Sequence, residues 1–321
     1  MNKITPISYL FLPIIFSLCF GCNKDDSSKV NTVINNVGSR IDITTMNNGD
    51  ERTYIIYIPS TYNPEKEHPL VFQLHGGSGN GEKFYNISGW NDIAEENGLI
   101  IVYPTSFAYD MKNNGCGNNR VTHWNNYNLP SEVCNVNDLR DETNFLNQVI
   151  NEVKASYTID ESRIYMAGFS RGSGMVNRLG IELSNKITAV GGLAGFLPGD
   201  TIYTPQRKLP IHIMLGTLDE KIASQTIFNT EIPFDLDEML DDPGLKDILK
   251  TYIASYNLDP NYTLIHSSAS GRTYRFEGNS GAPENVMLFS LLKDVTHVFP
   301  NPPIEAGAAD IFWKFFQQYS L

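Results

Sequence analysis

The sequence predicts an α/β fold in which a mainly parallel central sheet carries helices on both faces. Short apolar runs with the character of buried strands alternate with segments whose apolar residues recur at helical spacing. Such alternation is typical of parallel strands joined by crossover helices. Residues 41–321 suffice for one large domain of this class.

The first predicted elements are a hairpin and a strand–helix–strand unit. Residues 41–46 and 52–59 flank Asn47-Asn48-Gly49-Asp50, a composition typical of a tight hairpin turn. A strand at 69–75, a helix at 90–97 and a strand at 99–103 follow. The later predicted elements are, in chain order, a helix near 145–153, strands at 163–167, 189–193 and 211–215, a helix near 243–253, a hairpin at 262–266 and 273–276, a strand at 286–292 and a helix near 311–316.

Residues 105–136 are rich in Asn and Gly and predict a long irregular segment. It leaves the end of a central strand, where open α/β sheets bind ligands. Cys116 and Cys134 lie within it, and in an exported protein they most simply form one disulfide. The run His123-Trp124-Asn125 is a candidate wall of the substrate pocket, because Trp is costly to expose. The alternative is that Trp124 anchors the loop beneath the disulfide.

The N-terminus predicts export. Residues 1–21 join a short charged start to an apolar stretch that ends in Gly21, which indicates a lipoprotein signal peptide with Cys22 as the lipidated residue. Ordinary secretion with cleavage nearby is the alternative. Residues 22–40 are expected to form a flexible polar tether, in which Lys24-Asp25-Asp26 resembles a surface-export signal of Bacteroidetes lipoproteins. We expect an outer-membrane lipoprotein at the cell surface, held by its lipid alone, with a periplasmic or secreted location as the alternative.

Charge and motif content exclude some classes of function. A formal net charge of −12 and a pI near 4.9 argue against a nucleic-acid partner. No His-Glu-x-x-His motif and no Gly-rich phosphate loop occurs. We therefore expect no metal, nucleotide or other cofactor.

A candidate nucleophile lies where an apolar strand meets a helix. The strand leads into Gly168-Phe169-Ser170-Arg171-Gly172, and helical apolar spacing resumes beyond it. In the α/β-hydrolase fold such a turn exposes the nucleophilic serine, so Ser170 is the predicted nucleophile. The expected oxyanion donors are the backbone N–H groups of Arg171 and of Gly77, in the loop after His75. The Arg171 guanidinium is expected either over the pocket or in solvent.

Ser170 needs a base and an orienting acid, which in this fold follow it in the order acid, then histidine. His212 lies inside a predicted strand and His266 at a hairpin, whereas His297 follows a core strand and is the predicted base. Asp219 follows the strand at 211–215 and a turn glycine, and is the predicted acid. Its alternatives are Glu220, Asp235, Asp237 and Asp294.

Taken in order, the motifs resemble one group of esterases. They are Leu74-His75-Gly76-Gly77, Trp124-Asn125, residues 159–165, Gly168 to Gly172, Gly216-Thr217-Leu218-Asp219 and Thr296-His297-Val298-Phe299-Pro300. From about Arg52 onward the chain resembles the secreted polyhydroxybutyrate depolymerase and feruloyl and acetylxylan esterase group, akin to carbohydrate esterase family 1. The resemblance implies an α/β-hydrolase fold and ester hydrolysis, with Ser170, Asp219 and His297 at the matching positions. The chain departs from the group at Arg171, Ser173, Thr296 and Phe299, which concern the pocket.

The sequence thus predicts a serine esterase that works through an acyl-enzyme. Feruloyl or acetyl esters on plant polysaccharides are the expected substrates, and a polyhydroxyalkanoate or other polyester is the alternative. Acyl transfer to a sugar instead of water also stays open. A non-catalytic glycan-binding surface lipoprotein that keeps the hydrolase fold is the alternative from another class, and the presence of all three predicted catalytic residues argues against it.

Overall fold

The computed structural model describes residues 37–117, 119–300 and 307–321. In chain order the strands are β1 (Ser39–Asn47), β2 (Asp50–Ile58), β3 (His68–Leu74), β4 (Ile100–Pro104), β5 (Ala108–Asp110), β6 (Arg120–Thr122), β7 (Ile159–Phe169), β8 (Ala189–Leu193), β9 (Ile211–Gly216), β10 (Leu258–Ser267), β11 (Gly271–Gly278) and β12 (Val286–Leu292). The helices are α1 (Gly81–Ile87), α2 (Trp90–Asn97), α3 (Leu129–Glu132), α4 (Glu142–Ser156), α5 (Arg171–Glu182), α6 (Glu220–Ala223), α7 (Leu236–Met239), α8 (Pro243–Tyr256) and α9 (Ala308–Phe316). None of these helices is long and apolar enough to cross a membrane.

A ten-stranded sheet organises the chain, with the order β1-β2-β4-β3-β7-β8-β9-β12-β11-β10. The six central strands, from β4 to β12, are parallel to one another. The hairpins β1–β2 and β10–β11 extend the sheet at its two ends in antiparallel pairing. Because parallel strands end at the same edge of a sheet, the loops after β3, β7, β9 and β12 meet at one edge.

Both faces of the sheet are buried, because alternate residues of the central strands point to opposite sides. On β3, Phe72 belongs to one apolar cluster and Val71 to the other. Helices α4, α5 and α8 contribute to the first cluster, and α2 and α9 to the second. The predicted α/β architecture with helices on both faces is therefore present.

Most elements lie within a few residues of their predicted bounds. The turn between β1 and β2 consists of Asn48 and Gly49, both with positive φ, as the sequence indicated. Strand β1 begins at Ser39, two residues before the expected start of the domain at residue 41. The predicted signal peptide (1–21), Cys22 and nearly all of the predicted tether (22–40) lie outside the described residues.

The prediction of an irregular segment at 105–136 was wrong. This part of the chain contains β5, β6 and α3, together with an apolar cluster of its own built on Tyr109, Met111, Leu129 and Val133. The predicted disulfide between Cys116 and Cys134 is present. We call residues 108–134 the disulfide segment. Its strands and helix are three or four residues long, too short to produce a periodic pattern in the sequence.

Candidate active site

Ser170 stands at a sharp turn between β7 and α5. Its backbone has φ 52° and ψ −116°, a conformation that costs a residue with a Cβ on the order of 1–3 kcal/mol. A Cβ at Gly168 would come within 2.3 Å of the Gly172 carbonyl oxygen, and a Cβ at Gly172 within 2.5 Å of the His75 carbonyl oxygen. Only glycine therefore fits at the two motif positions that flank the serine.

The side chain of His297 bridges Ser170 and Asp219. Its Nε2 lies 2.9 Å from Ser170 Oγ, and its Nδ1 lies 2.8 Å from Asp219 Oδ2. The His297 side chain is 5% exposed and that of Asp219 is 0% exposed. With Nδ1–H donating to the carboxylate, Nε2 is free to accept the serine proton, which is the geometry that a general base and its orienting acid require.

Hydrogen bonds join the loop after β9, which carries Asp219, to the loop after β12, which carries His297. The N–H of Thr217 donates to Leu292 O (2.9 Å), and that of Leu218 donates to Val295 O (3.0 Å). The N–H of Asp294 donates to Thr217 Oγ1 (2.9 Å). Because β9 and β12 are neighbouring parallel strands, these bonds fix the two loops in register.

Asp219 and Glu220 both accept hydrogen bonds from backbone N–H groups near the His297 ring. Asp219 Oδ1 also accepts the N–H groups of Lys221 and Ile222, and so caps α6. Glu220 Oε2 accepts the backbone N–H of His297 (3.1 Å), and this bond holds the pKa of the Glu220 carboxyl below its usual value. Glu220, which the sequence offered only as an alternative acid, contacts the backbone of the candidate base.

The other candidates for acid and base lie in different surroundings. Asp235 accepts a bond from Arg272, and Asp237 accepts one from the Tyr262 hydroxyl. His212 is buried in β9 against Ser290, whereas His266 is exposed on the edge strand β10. Of the candidates, the structure brings Asp219 and His297 to Ser170.

The predicted oxyanion donors lie side by side next to Ser170. A Cβ at Gly76 would lie 3.4 Å from Ser170 Cβ, and a Cβ at Gly77 would lie 3.3 Å from Arg171 Cγ. In the described part of the chain, neither the Gly77 nor the Arg171 backbone N–H has an acceptor. Arg171 opens α5, where N–H groups have no intrahelical partner. Both groups are therefore able to donate to a ligand.

A cavity of about 400 Å³ opens at Ser170. Its lining includes the polar side chains Asn126, Asn128, Glu132, Arg171, Lys221, Gln225, Thr226 and Asp242 and the apolar side chains Phe196, Leu197, Pro198, Ile222, Leu245 and Ile248. The Arg171 guanidinium pairs with Glu132 at 2.6 Å, so of the two positions expected for it, the one at the pocket is observed.

The run His123-Trp124-Asn125 does not form the wall of this cavity. Trp124 is fully buried, and its Nε1–H donates to the carbonyl of His75 at 2.8 Å. It therefore anchors the loop, as the alternative prediction held, and it does so through its contact with His75. Asn125 is also buried, and its amide donates to Arg140 O at 2.7 Å.

His123 lies against Gly77, one of the two predicted oxyanion donors. Its Cε1 would be 2.7 Å from a Cβ placed on Gly77. Burial, and then the positive charge of Arg171, lower the pKa of its ring to about 4. At neutral pH the ring beside Gly77 is therefore uncharged.

Apart from Arg171 and the predicted catalytic residues, the residues that line the cavity could not be identified from the sequence. Glu132 and Asn126 come from the disulfide segment, and Phe196 and Leu245 come from segments that follow Ser170. Residues so widely spaced carry no common motif, and their meeting depends on the tertiary fold. The departure at Arg171 was the one available signal, because a long cation directly after the nucleophile must lie near the pocket.

Comparison with known proteins supports the resemblance. Residues 52–204 match the family model described as Esterase PHB depolymerase. The chain is 25% identical over 182 residues to a bifunctional acetylxylan esterase/xylanase of Neocallimastix patriciarum, covering 56% of this chain and 23% of the relative. It is 26% identical over 180 residues to a probable feruloyl esterase C of Aspergillus oryzae, covering 54% of each.

A poly(3-hydroxyalkanoate) depolymerase C of Paucimonas lemoignei is 25% identical over 127 residues, covering 40% of this chain and 28% of the relative. The chain thus spans about half or less of the length of these curated relatives. Among solved structures, an acetyl xylan esterase from Aspergillus awamori superposes with a TM-score of 0.58 at 16% identity, covering 87% of this chain and 99% of that one. The protein therefore has an α/β-hydrolase fold and is similar to the polyhydroxybutyrate depolymerase and feruloyl and acetylxylan esterase group, as its motifs predicted.

Proposed function

We propose that the protein is a serine carboxylic ester hydrolase in which Ser170, His297 and Asp219 are the catalytic residues. The observation that carries the proposal is the unbroken hydrogen-bonded path from Ser170 Oγ through the His297 ring to Asp219. At its Ser170 end the path lies beside two backbone N–H groups that have no acceptor among the described residues, and beside the cavity that Ser170 lines. Nucleophile, base, acid, oxyanion donors and substrate space therefore lie together, which is the constellation that acyl transfer needs.

The mechanism follows from the atoms that face one another. His297 Nε2 takes the proton of Ser170 as Oγ attacks the ester carbonyl, and Asp219 stabilises the imidazolium that forms. The N–H groups of Gly77 and Arg171 hold the oxyanion of the tetrahedral intermediate. His297 then protonates the departing alcohol, and a water activated by the same ring releases the acid from Ser170.

The mixed lining of the cavity supports an aromatic acyl group and a sugar alcohol. Apolar residues such as Phe196, Leu245 and Ile248 offer a surface for a planar phenolic ring, and polar residues such as Asn126 and Asn128 offer donors and acceptors for hydroxyl groups. The names of the fungal relatives support the same substrates. We propose feruloyl or acetyl esters on plant polysaccharides, and the cavity of about 400 Å³ favours the larger acyl group.

The proposal is tested with p-nitrophenyl acetate, methyl ferulate and acetylated xylan on the wild type and on Ser170→Ala. Loss of the nucleophile should lower kcat by at least about a thousand-fold, since triad loss costs several orders of magnitude. Ser184→Ala is the matched control, because Ser184 is a buried serine just beyond the far end of α5. A Ser170→Ala protein that kept more than about a tenth of the activity would exclude Ser170 as the nucleophile.

A polyester depolymerase is the second candidate. The description of the matched family model and the Paucimonas lemoignei relative favour it. Release of hydroxybutyrate from a poly(3-hydroxybutyrate) film, compared with kcat/KM on methyl ferulate, separates the two. Acylated sugar products in the same assays would identify acyl transfer in place of hydrolysis.

We propose that the protein is exported and held at the outer membrane by a lipid on Cys22. The lipoprotein-like start of the sequence supports this, as does the disulfide, which is typical of oxidising compartments. Cys22→Ser should release the protein from membranes or block its processing, whereas the control Cys19→Ser should leave it attached. Unchanged membrane attachment of Cys22→Ser would contradict the proposal, and protease digestion of intact cells tests exposure at the surface.

A further inference from the structure

The disulfide segment contacts the loop that carries the candidate oxyanion donor Gly77. We call residues 75–79 the oxyanion loop. Three consecutive residues of the disulfide segment, Thr122, His123 and Trp124, each touch a different part of it. These contacts involve neither the cavity nor the nucleophile.

Trp124 holds the beginning of the oxyanion loop. Its Nε1–H donates to His75 O at 2.8 Å, and its ring lies 5.0 Å from the His75 ring, centroid to centroid. Both side chains are fully buried. The His75 ring in turn donates from Nδ1 to Gly76 O and accepts the Ser106 N–H at Nε2. The peptide that precedes Gly77 is therefore bonded on several sides.

Thr122 holds the end of the same loop. Its carbonyl accepts the Ser78 N–H at 2.8 Å, and its hydroxyl donates to Gly79 O. Ser78 has φ 59°, a left-handed conformation that a residue with a Cβ keeps only when its surroundings enforce it. The hydrogen bond from the Ser78 N–H to the Thr122 carbonyl holds Ser78 in this conformation, one residue after the proposed donor Gly77.

His123 fills the space between these two anchors. A Cβ on Gly77 would come within 2.7 Å of His123 Cε1, so the ring lies directly against the Gly77 backbone. The contacts of Thr122 and Trp124 fix the two ends of the loop, and the ring limits movement of the donor between them.

We propose that Thr122 and Trp124 are positioning residues that aim the Gly77 N–H at the oxyanion. The inference rests on the proposed esterase function. An oxyanion donor acts only if it is aimed in advance at the position where charge develops. A small displacement of a positioned group costs rate, while binding of the uncharged ester changes little. Loss of either contact should therefore lower kcat and leave KM nearly unchanged.

The experiment compares Thr122→Val, Thr122→Ser and Trp124→Phe on p-nitrophenyl acetate and methyl ferulate. Valine removes the hydroxyl at nearly constant shape, and serine keeps it. Phenylalanine removes the indole N–H together with part of the ring volume, a loss of volume that the Trp90→Phe control shares. We expect kcat to fall about ten-fold in Thr122→Val and Trp124→Phe, with KM within about two-fold, and Thr122→Ser to keep wild-type kcat. Inactivation by an organophosphonate, whose oxygen occupies the oxyanion position, should slow in the same two variants.

Trp90→Phe is the matched control, because Trp90 is equally buried and its indole N–H donates to Gln73 Oε1 at 2.7 Å. It should lose stability but not kcat. A wild-type kcat in folded Thr122→Val and Trp124→Phe would overturn the inference, and so would equal kcat losses in Trp124→Phe and Trp90→Phe. If Trp124→Phe does not fold, the comparison of kcat between Thr122→Val and Thr122→Ser tests the inference. Full activity of Ser170→Ala would instead refute the proposed function, so the two failures are distinguishable.

Discussion

Asp219 combines two tasks in one carboxylate. One oxygen faces His297 Nδ1 most closely, and the other also accepts the N–H groups of Lys221 and Ile222. The helix cap fixes the carboxylate, and the carboxylate fixes the ring. An aspartate directly before a short helix is thus well placed to orient a base, because its own conformation is set by backbone donors.

Replacing Asp219 with Asn should therefore affect catalysis far more than folding. Asparagine also caps helices, but it has no charge to stabilise the imidazolium, and we expect kcat to fall by on the order of ten-thousand-fold. Asp235→Asn is the matched control, since Asp235 caps α7 through two N–H groups in the same way. Retention of more than about a tenth of kcat by Asp219→Asn would show that another group orients the base.

The side chain of Arg171 is separable from its backbone. The N–H is the proposed oxyanion donor, whereas the guanidinium pairs with Glu132 in the cavity wall. Arg171→Gln should thus keep kcat on p-nitrophenyl acetate within about three-fold, because the backbone donor remains.

The same variant should raise KM for methyl ferulate several-fold, because the cavity loses part of its wall. Steady-state kinetics on the two esters measure both effects. A loss of kcat by about a hundred-fold on the small ester would contradict the separation of backbone and side chain.

At the scale of elements, the parts of the site that could be predicted are those that follow sheet strands. Ser170, Asp219 and His297 come after β7, β9 and β12, whose parallel pairing places their loops at one edge. The strand runs are apolar and regular, and the chain order of acid and base is set by the fold. The strand pattern, the motif around Ser170 and this chain order were therefore enough to select these three side chains.

The parts that could not be predicted lie in short elements and in contacts between distant segments. Helix α1 and strands β5 and β6 are too short for a periodic signal. A Trp such as Trp124 suits a pocket wall and a buried anchor equally well from sequence, and only the position of His75 decides between them. Glu220 looked like a competitor of Asp219 because no local pattern shows that it accepts the His297 N–H.

Removing the disulfide tests how much the disulfide segment depends on its covalent closure. The double variant Cys116→Ser/Cys134→Ser opens a loop whose ends are 18 residues apart, and we expect the free energy of unfolding to drop by about 3 kcal/mol. The kcat should also fall, since Thr122 and Trp124 lie within the loop. Denaturant titration and kinetics measure both, and an unchanged kcat would show that the apolar cluster around Tyr109 is sufficient to hold the segment.

At the scale of the whole molecule, three histidines lie in surroundings that favour their neutral form. Burial lowers the pKa of His75 to about 4 and that of His212 to about 3. Burial and Arg171 lower the pKa of His123 to about 4. Between pH 6.5 and 4 the unfolded chain binds protons at these rings while the folded chain does not. These groups therefore stabilise the fold fully above pH 6.5, and their contribution is lost as the pH falls through that window.

The free energy of unfolding should therefore decline between pH 6.5 and 4, and His212→Gln should make the decline shallower. His266→Gln is the control, because His266 is exposed on an edge strand and should leave the slope unchanged. Burial raises the pKa of Glu142, which acts in the opposite direction. For that reason the test compares the slopes of the variants and not the total change. An equal slope in wild type and His212→Gln would contradict the prediction.

The origin of the cavity walls has a consequence for how such a protein changes over generations. The reacting groups stand in the turns and loops that follow central strands, whereas most of the cavity lining comes from the disulfide segment, from residues between β8 and α8 and from the beginning of α8. Because both proposed oxyanion donors belong to the backbone, a mutation of the Arg171 side chain alters the fit of the ester without deleting a reacting group. Mutations in the cavity lining can therefore change which acyl and alcohol groups the protein accepts while it still hydrolyses esters. In a library of substitutions confined to Asn126, Asn128, Glu132 and Arg171, variants with a changed ester preference should be more frequent than inactive variants.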